Sequence, residues 1–405
     1  MLHIKNCQII DQNGILNDEL LIEKGKIRMI GSEKIKHYIY DSIQKLQIPG
    51  LEDAEDTKPL IKTIDANNNI VMPSFVDLHF HMRNPGQSHK ETLLSGNKAS
   101  LKGGYTHVLA MANTNPVVDS RELVEHMLTE NRKLNLIKLY QVSSVTKNLE
   151  GKELVDFLKI REMTRFFSDD GKNIDDPKLL EYALYYSRDL DFVILSHDEP
   201  ETEMVQRNLN IVRKTKGNFH FCHISKEQSM KEIIKAKEEG LNITVEVAPH
   251  HIYKSNEDYR VNPPFATESD RKFLIKAIKE GYVDAIATDH APHTIEDKAN
   301  GAPGISGIET SFSLCHKVFK EEEIGMDKLS KLMSYNPGRF LGLAHKEIRA
   351  GEDADIVIIK EGNFNIDKDA FESKGKNTPF DRDSIYATIT KTIRKGELLY
   401  DNGFN

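Results

Sequence analysis

The sequence predicts an α/β fold, a (β/α)8 TIM-like barrel with a small β-sandwich domain formed by both chain ends. Eight short apolar runs recur through the middle of the chain, and helix-like segments with apolar residues near i, i+3 and i+4 follow them. Period-two alternation, which is typical of half-buried strands, returns at the two ends. A doubly wound sheet is the alternative, but eight strand–helix units over about 250 residues suit a barrel better.

The predicted β-sandwich domain is assembled from the first and the last part of the chain. Alternating segments around Asn and Gly turns fill most of the N-terminal part, and residues 385–403 are typical of strand, turn and strand. We therefore expect residues 1–70 and 346–405 to form the sandwich and residues 71–345 to form the barrel. The charge-rich residues 32–62 are predicted to be a surface insertion, a solvated connection.

Polar side chains of a metal-binding type follow several of the predicted barrel strands. These strands lie at residues 75–82, 106–112, 138–144, 164–170, 191–197, 218–225, 243–249 and 283–290. His79 and His81 share a face of the first strand because residues i and i+2 point the same way, and alone they make half of a metal site. Barrel active sites form at the carboxyl ends of the strands. The other strand ends supply Asp169, Asp170, His197, His223 and Asp289.

The composition narrows the class of protein before any motif is considered. The chain has 405 residues, 39% of them hydrophobic, and a formal net charge of −8, which predicts a globular protein with no nucleic-acid or membrane partner. No run of 18 apolar residues occurs, and the start MLHIKNCQII lacks the zones of a signal peptide. Three scattered cysteines form neither a disulfide framework nor a thiolate zinc site. We therefore expect a cytoplasmic location.

Four imidazoles and two carboxylates suit two metal ions that lie about 3.5–4 Å apart and share a bridging oxygen. Histidine nitrogen with carboxylate oxygen fits Zn²⁺, and Mn²⁺, Co²⁺ or Fe²⁺ would also fit. Two such ions would depress the pKa of the shared water to give a hydroxide at neutral pH. Asp289 lies in ATDHAPH, and a carboxylate that touches both metal and hydroxide can carry a proton to a leaving nitrogen.

A set of motifs spread over nearly the whole chain carries a family resemblance. They are DLHFHMRNPG (77–86), GGYTHVLAMANTNPVVD (103–119), FSDDG (167–171), CHIS (222–225), EVAPHH (246–251), NPP (262–264) and ATDHAPH (287–293), followed by segments 334–343, 350–358 and 373–380. Together they resemble the dihydroorotases, more closely the bacterial type I enzymes of the amidohydrolase superfamily. The resemblance implies reversible zinc-dependent cyclisation of N-carbamoyl-L-aspartate to (S)-dihydroorotate and water in de novo pyrimidine (UMP) biosynthesis, via a bridging hydroxide and an aspartate proton shuttle.

The resemblance also implies a ligand set for two Zn²⁺ ions per chain. It assigns one metal to His79 and His81 with Asp289, which is also the catalytic proton shuttle. It assigns the other metal to His197 and His223. Asp170 takes the bridging position that a carboxylated lysine occupies in many superfamily members, and Asp169 is the alternative bridge.

On the substrate side, the resemblance assigns a bound ring carboxylate to Arg83, Asn113 and His293. Asn262 is expected to hydrogen-bond the ring, and His81 to contact the substrate as well as metal. Pro303 and Gly304 are expected to present backbone groups to the ring amide.

The chain departs from the pattern of the family in three places. Phe265-Ala266 follows NPP where relatives commonly carry Leu-Arg, the interval from His197 to His223 is short, and Ser74 stands where Gly is usual. None of these departures removes a predicted metal ligand. His250, His251 and His290 are expected to be structural or to lie behind the ligands, and residues 294–304 are a candidate mobile lid.

Two other functions remain open at this point. The protein could be another cyclic amide hydrolase, namely a hydantoinase, dihydropyrimidinase or allantoinase, although Arg83 and Asn113 suit a ring carboxylate. It could also be a non-catalytic scaffold that associates with aspartate transcarbamoylase, although such scaffolds tend to lose metal ligands. Relatives suggest a homodimer, and the expected substrate is a small molecule.

Overall fold

The structure, a computed structural model, describes residues 1–46, 61–344 and 346–403. The strands are β1 (Leu2–Asp11), β2 (Gly14–Glu23), β3 (Lys26–Ile30), β4 (Lys62–Asp65), β5 (Ile70–Pro73), β6 (Phe75–Phe80), β7 (Tyr105–Ala110), β8 (Lys138–Gln141), β9 (Phe166–Phe167), β10 (Val193–Ser196), β11 (Phe219–Phe221), β12 (Ile243–Val247), β13 (Ala285–Ile286), β14 (Ile356–Asn365), β15 (Ser384–Arg394) and β16 (Glu397–Asp401).

The helices are α1 (Ser32–Leu46), α2 (Leu93–Lys102), α3 (Arg121–Leu134), α4 (Phe157–Ile160), α5 (Pro177–Asp189), α6 (Glu201–Thr215), α7 (Glu227–Glu238), α8 (Pro249–Tyr253), α9 (Glu268–Glu280), α10 (Ile295–Ala299), α11 (Ser311–Glu321), α12 (Met326–Ser330) and α13 (Asn336–Phe340). Short 3₁₀ turns lie at Lys147–Leu149 and Lys368–Ala370, and a π-helical segment, Lys331–Tyr335, joins α12 to α13. Within the described ranges, no helix is both long and apolar enough to cross a membrane.

Strands β6 to β13 form the predicted barrel, and each lies within or overlaps one of the eight apolar runs. They pair in parallel as two groups, β6-β7-β8 and β9-β10-β11-β12-β13. Parallel bridges between Ser143 and Phe167 and between Phe80 and His290 join the two groups and close the barrel. Most of these strands are short and nearly fully buried because helices cover the outside of a parallel barrel.

Strands from both chain ends form one eight-stranded sheet, as the β-sandwich prediction requires. The order is β16-β15-β14-β5-β1-β2-β3, with β4 also paired to β1. The sheet curls until β3 meets the segment before β14, where Ile27 N donates to Glu352 O (2.9 Å) and Gly351 N donates to Ile27 O (2.8 Å). Side chains from both chain ends, among them Ile4 and Ile356, fill the enclosed core. The fold class is thus confirmed, while the domain limits at 70/71 and 345/346 stay predictions.

The charge-rich segment after β3 differs from its prediction as a solvated connection. Residues 32–46 form helix α1, which packs on β2 and β3 and buries Ile35 completely. The charge density hid the pattern because a surface helix needs only a narrow apolar stripe on one face. Residues 47–60, the rest of the predicted insertion apart from 61 and 62, lie outside the described residues.

A buried ion pair fastens the sheet to the base of the barrel. Lys346 Nζ donates to Asp355 Oδ2 (3.3 Å) and to Ser74 Oγ (2.8 Å), and the ionised side chains of the pair are only 6% and 5% exposed. Burial opposes the shift, but the charge of Lys346 lowers the pKa of Asp355 to about 2. The hydroxyl of Ser74, which departs from the family pattern, therefore satisfies a buried ammonium group, together with Thr106.

Lys346→Met tests this connection. It leaves the carboxylate of Asp355 buried without its cation, so the free energy of unfolding should fall by about 3–5 kcal/mol in urea denaturation at pH 7. The folded-state pKa of Asp355 is lowered, so its stabilising contribution is present above its unfolded pKa and is lost as the pH falls towards about 2. The difference between wild type and variant should therefore shrink on acidification.

The exposed pair Lys26–Asp353, whose side chains are 59% and 49% exposed, is the matched control. Lys26→Met should cost about 1 kcal/mol or less, because solvent screens an exposed pair. Equal losses in the two variants would contradict a special role for the buried pair.

Candidate metal centre and active site

The six predicted metal ligands converge at the mouth of the barrel, and all of them are buried. Each lies at or just beyond the carboxyl end of its strand, because parallel strands present these ends on one face. They come from β6, β9, β10, β11 and β13 and are His79, His81, Asp170, His197, His223 and Asp289.

One side of the mouth brings together the ligands predicted for the first metal. His81 Nε2 lies 3.2 Å from Asp289 Oδ1, and His79 Nε2 lies 3.7 Å from the same oxygen. The ligand atoms of these three residues all lie within 4.8 Å of one another. This spacing permits one ion to contact all three side chains.

Asp170 lies between this group and the other two histidines. Its Oδ1 is 3.2 Å from His79 Nε2 and 4.0 Å from both His197 Nδ1 and His223 Nε2. Its Oδ2 is 3.6 Å from His81 Nε2. His197 Nδ1 and His223 Nε2 are 3.1 Å apart. The two oxygens of Asp170 therefore face both groups of histidines, as a bridging carboxylate must.

The unpartnered atoms of the site fit bound cations. Among the residues that the structure describes, His79 Nε2, Asp170 Oδ1 and His223 Nδ1 are buried without a hydrogen-bond partner. Buried polar atoms are normally paired, so a concentration of unpaired imidazole and carboxylate atoms indicates a site that a divalent metal completes. The donor set of nitrogen and oxygen atoms suits Zn²⁺ and its first-row neighbours.

Asp169, the alternative bridge, faces away from this centre. Its Oδ1 accepts hydrogen bonds from Val145 N (2.8 Å) and Thr146 N (3.0 Å), and its Oδ2 accepts one from the Thr146 hydroxyl. Adjacent residues of an extended segment point to opposite sides. Asp169 thus holds the loop after β8, while Asp170 points into the mouth.

Three residues at the mouth have left-handed backbone conformations. The φ angles are 55° for Arg83, 35° for His223 and 47° for Asp289. Such angles are uncommon for residues other than glycine and concentrate at functional sites, where the surroundings hold them in place. Here they occur where the chain leaves a barrel strand and redirects a polar side chain.

The electrostatics keep both carboxylates of the centre ionised. Burial opposes the shift, but the surrounding imidazoles of His79, His81 and His197 hold the pKa of Asp170 well below its usual range. Burial likewise opposes the lowering of the pKa of Asp289, which the neighbouring imidazoles of His81, His79 and His223 produce. Both groups are therefore charged at neutral pH, as cation binding needs.

Arg83 and His293 lie together beside the metal ligands. Arg83 Nη2 is 3.1 Å from His293 Nε2, and Arg83 Nε donates to Pro292 O (3.2 Å). Burial lowers the pKa of Arg83 to about 10, so it remains charged, while burial and the charge of Arg83 lower the pKa of His293 to about 3. His293 is therefore neutral at pH 7. Asn113 contacts His81 Nδ1 through Oδ1 (2.9 Å) and donates to Asp170 Oδ2 (3.1 Å).

The remaining predicted substrate residues surround the same mouth. Asn262 Nδ2 lies 3.2 Å from His197 Nε2 and donates to Glu199 Oε2 (2.6 Å). Pro303 is exposed. A hydrogen bond between its backbone and His293 partly offsets the lowering of the pKa of that histidine. Gly304 has φ +135°, and a Cβ there would lie 2.6 Å from Ala291 Cβ, so only glycine fits this close approach.

The other histidines near the mouth have contacts outside the predicted ligand set. His290 Nε2 meets Glu91 Oε2 (3.3 Å), and its ring stacks on Phe80. His251 Nε2 lies 3.3 Å from Pro263 O, and the ring of His250 lies against that of His251 at a tilt of 57°. The candidate lid, residues 294–304, contains α10, and Lys298 Nζ binds the carbonyls of Arg260, Ala302 and Gly304. Its motion stays a prediction.

Four residues around the site were not singled out from the sequence. Glu246 contacts His79, Asp77 accepts hydrogen bonds from Thr288 next to Asp289, Lys90 lies 3.4 Å from His293 Nδ1, and Asn377 accepts from His293 N (2.9 Å). The acids Glu246 and Asp77 carried a signal, because each is a charged residue inside an apolar strand run. Lys90 and Asn377 carried no such signal.

Comparisons with known proteins agree with this site. A family model described as "Amidohydrolase family" matches residues 70–399. A protein named dihydroorotase from Clostridium botulinum is 38% identical, covering 98% of this chain and 99% of its own. One from Caldanaerobacter subterraneus subsp. tengcongensis is 34% identical over 87% and 91%. The L-hydantoinase structure from Arthrobacter aurescens superposes with a TM-score of 0.83 at 20% identity, covering 100% of this chain and 96% of its own, which shows the fold. The matches confirm the family resemblance of the motifs.

Asp170→Asn should reduce the metal content of the protein. Removing the charge that faces both histidine groups weakens both metal positions, so metal analysis after dialysis should give about one ion per chain or fewer. Asp169→Asn is the matched control, and it should lower stability without lowering metal content. Equal metal loss in the two variants would contradict the bridging position of Asp170.

Proposed function

We propose that this chain, which belongs to the amidohydrolase family and within it to the dihydroorotases, interconverts N-carbamoyl-L-aspartate and (S)-dihydroorotate in pyrimidine biosynthesis. The proposal includes two Zn²⁺ ions per chain, one held by His79, His81 and Asp289 and the other by His197 and His223, with Asp170 between them. A homodimer, a cytoplasmic location and an association with aspartate transcarbamoylase remain predictions.

The buried cation of Arg83 is the observation that carries this choice of substrate. Arg83 is 8% exposed, and within the described part of the chain no carboxylate forms an ion pair with it. Its guanidinium group contacts the Pro292 carbonyl and the neutral imidazole of His293, and neither carries a negative charge that would neutralise it. A buried charge that no carboxylate contacts directly is costly, so an anionic group of the substrate is expected to complete the site. Dihydroorotate carries such a carboxylate on its ring, whereas hydantoin and dihydrouracil do not.

The residues of the site divide the reaction between holding the substrate and moving a proton. Arg83, Asn113 and His293 hold the ring carboxylate, and Asn262 and the backbone at Pro303 and Gly304 orient the ring. Bound metal ions would polarise the amide carbonyl and lower the pKa of the attacking water.

Asp289 carries the proton between the two reacting groups. In the hydrolytic direction it accepts the proton of the water and delivers it to the departing ring nitrogen. In the direction of cyclisation it takes the amide proton of N-carbamoyl-L-aspartate and delivers it to the carboxyl oxygen that leaves as water. Its lowered pKa keeps it in the basic form that begins the hydrolytic direction.

Asp289→Asn should lower kcat by about 10²–10⁴-fold, because an amide cannot accept and return the proton. The assay follows the ultraviolet absorbance of dihydroorotate with Zn²⁺ present, and metal content is measured on the same samples. A variant that keeps both its metal and a near-wild-type rate would remove Asp289 as the proton carrier.

Arg83→Met should lower kcat/KM for dihydroorotate by about 100-fold, because the hydrogen bonds of a charged group to the substrate carboxylate are lost. A panel with dihydrouracil and hydantoin separates the alternatives. We expect wild type to turn over dihydroorotate and neither neutral ring. Turnover of hydantoin or dihydrouracil with no turnover of dihydroorotate would contradict the proposed function and indicate another cyclic amide hydrolase. A metal-loaded protein that turns over none of the three compounds would indicate a non-catalytic scaffold.

A further inference from the structure

Glu246 is a fully buried carboxylate that contacts two histidines beneath the metal centre. It lies on β12 inside the run ITVEV, and its side chain is 0% exposed. Its Oε1 is 3.0 Å from His79 Nδ1, and its Oε2 is 3.0 Å from His220 Nε2. The far side of His220 is also satisfied, because its Nδ1 lies 2.7 Å from Thr244 Oγ1.

This geometry determines which nitrogen of His79 carries hydrogen. A carboxylate only accepts hydrogen bonds, so the Nδ1 of His79 that faces Glu246 must carry the hydrogen. A neutral His79 ring then presents its Nε2 lone pair to the mouth of the barrel, where Nε2 has no hydrogen-bond partner among the described residues. A metal binds this lone pair, and the hydrogen-bond acceptor on the opposite nitrogen makes the ring a better donor.

We propose that Glu246 is a positioning residue for the metal held by His79, fixing the orientation and tautomer of that imidazole. This inference rests on the proposed metal centre and goes beyond the ligand set, since Glu246 does not reach the mouth. His220 serves as the counterpart that satisfies the second oxygen of Glu246, so that the buried carboxylate stays charged without binding metal itself.

A rival reading makes Glu246 a ligand of a separate ion. Ligand atoms of His79, Cys222 and Glu246 lie within 4.8 Å of one another. However, each oxygen of Glu246 already has an imidazole partner at 3.0 Å. This group therefore has less to offer a cation than the unpartnered His79 Nε2 and Asp170 Oδ1 at the mouth.

The experiment measures zinc affinity by competition with a chromophoric chelator, together with zinc content and urea unfolding of the metal-free protein. Glu246→Leu removes the acceptor from His79, and the affinity of one of the two zinc sites should fall about 10–100-fold. Glu246→Gln keeps one acceptor oxygen and should give a smaller loss in the same site. A positioning role predicts this order of zinc affinities, with wild type above Glu246→Gln and Glu246→Gln above Glu246→Leu. Both variants are compared with wild type at temperatures at which they remain folded.

Glu309→Gln is the matched control. Its side chain is 2% exposed, it accepts hydrogen bonds from Glu372 N and Ser373 N and pairs with Lys102, and it contacts none of the predicted ligands. This variant should lose stability with unchanged zinc affinity. His220→Asn should weaken zinc binding less than Glu246→Leu, because it leaves the contact to His79 in place.

Unchanged zinc affinity in both Glu246 variants, with a stability loss like that of Glu309→Gln, would overturn the proposal. So would a wild-type chain that binds no zinc, which would also remove the metal centre. A wild type that binds two zinc ions but turns over no dihydroorotate, with affinity reduced in Glu246→Leu, would reject the proposed function and support the role of Glu246.

Discussion

The carboxylate of Asp170 is the constraint around which the mouth of the barrel is organised. It is buried at the carboxyl end of β9 and lies within 4.0 Å of imidazoles from β6, β10 and β11. A buried negative charge requires compensation from every side. Placing that charge at the mouth of the barrel therefore requires the strands around it to end in groups that are positive, polarisable or bound to a cation. The histidines meet this requirement only as a set.

Two buried acids outside the predicted ligand and substrate residues support the centre. Glu246 holds His79 from beneath, and Asp77 binds both the backbone and the hydroxyl of Thr288, next to Asp289. Both acids are fully buried, and both carboxyl oxygens of each accept hydrogen bonds. They therefore hold their partners in place rather than bind metal. The two acids thus tie a ligand on a strand, His79, and the segment just after β13 to the buried interior of the barrel.

Local spacing was sufficient to predict the barrel strands and to place the candidate ligands at the carboxyl ends of those strands. The assignment of these residues to metal ions came from the family resemblance and stays a prediction. His79 and His81 are two residues apart on a strand, and the other ligands end apolar runs. The helix α1 was missed because charge masked its narrow apolar stripe. Asn377 was missed for a different reason: its partners His293 and Gly304 are distant in sequence, and only the folded chain brings an ordinary loop asparagine to them. The choice between Asp169 and Asp170 likewise needed the direction of each side chain.

The position of Asn377 has a consequence for how this protein can be divided. Its side chain binds the backbone of Ala291, His293 and Gly304, and nearby Ser373 and Lys374 bind Glu91 behind the mouth. The segment that shapes the substrate end of the active site, residues 373–377, therefore follows the whole barrel in the sequence and lies between β14 and β15 of the sheet. A barrel cut away from its C-terminal part would retain every metal ligand and still have an unsupported substrate pocket. The metal ligands and the support of the substrate pocket therefore come from separate parts of the chain, and the pocket is complete only when residues 373–377 are in place.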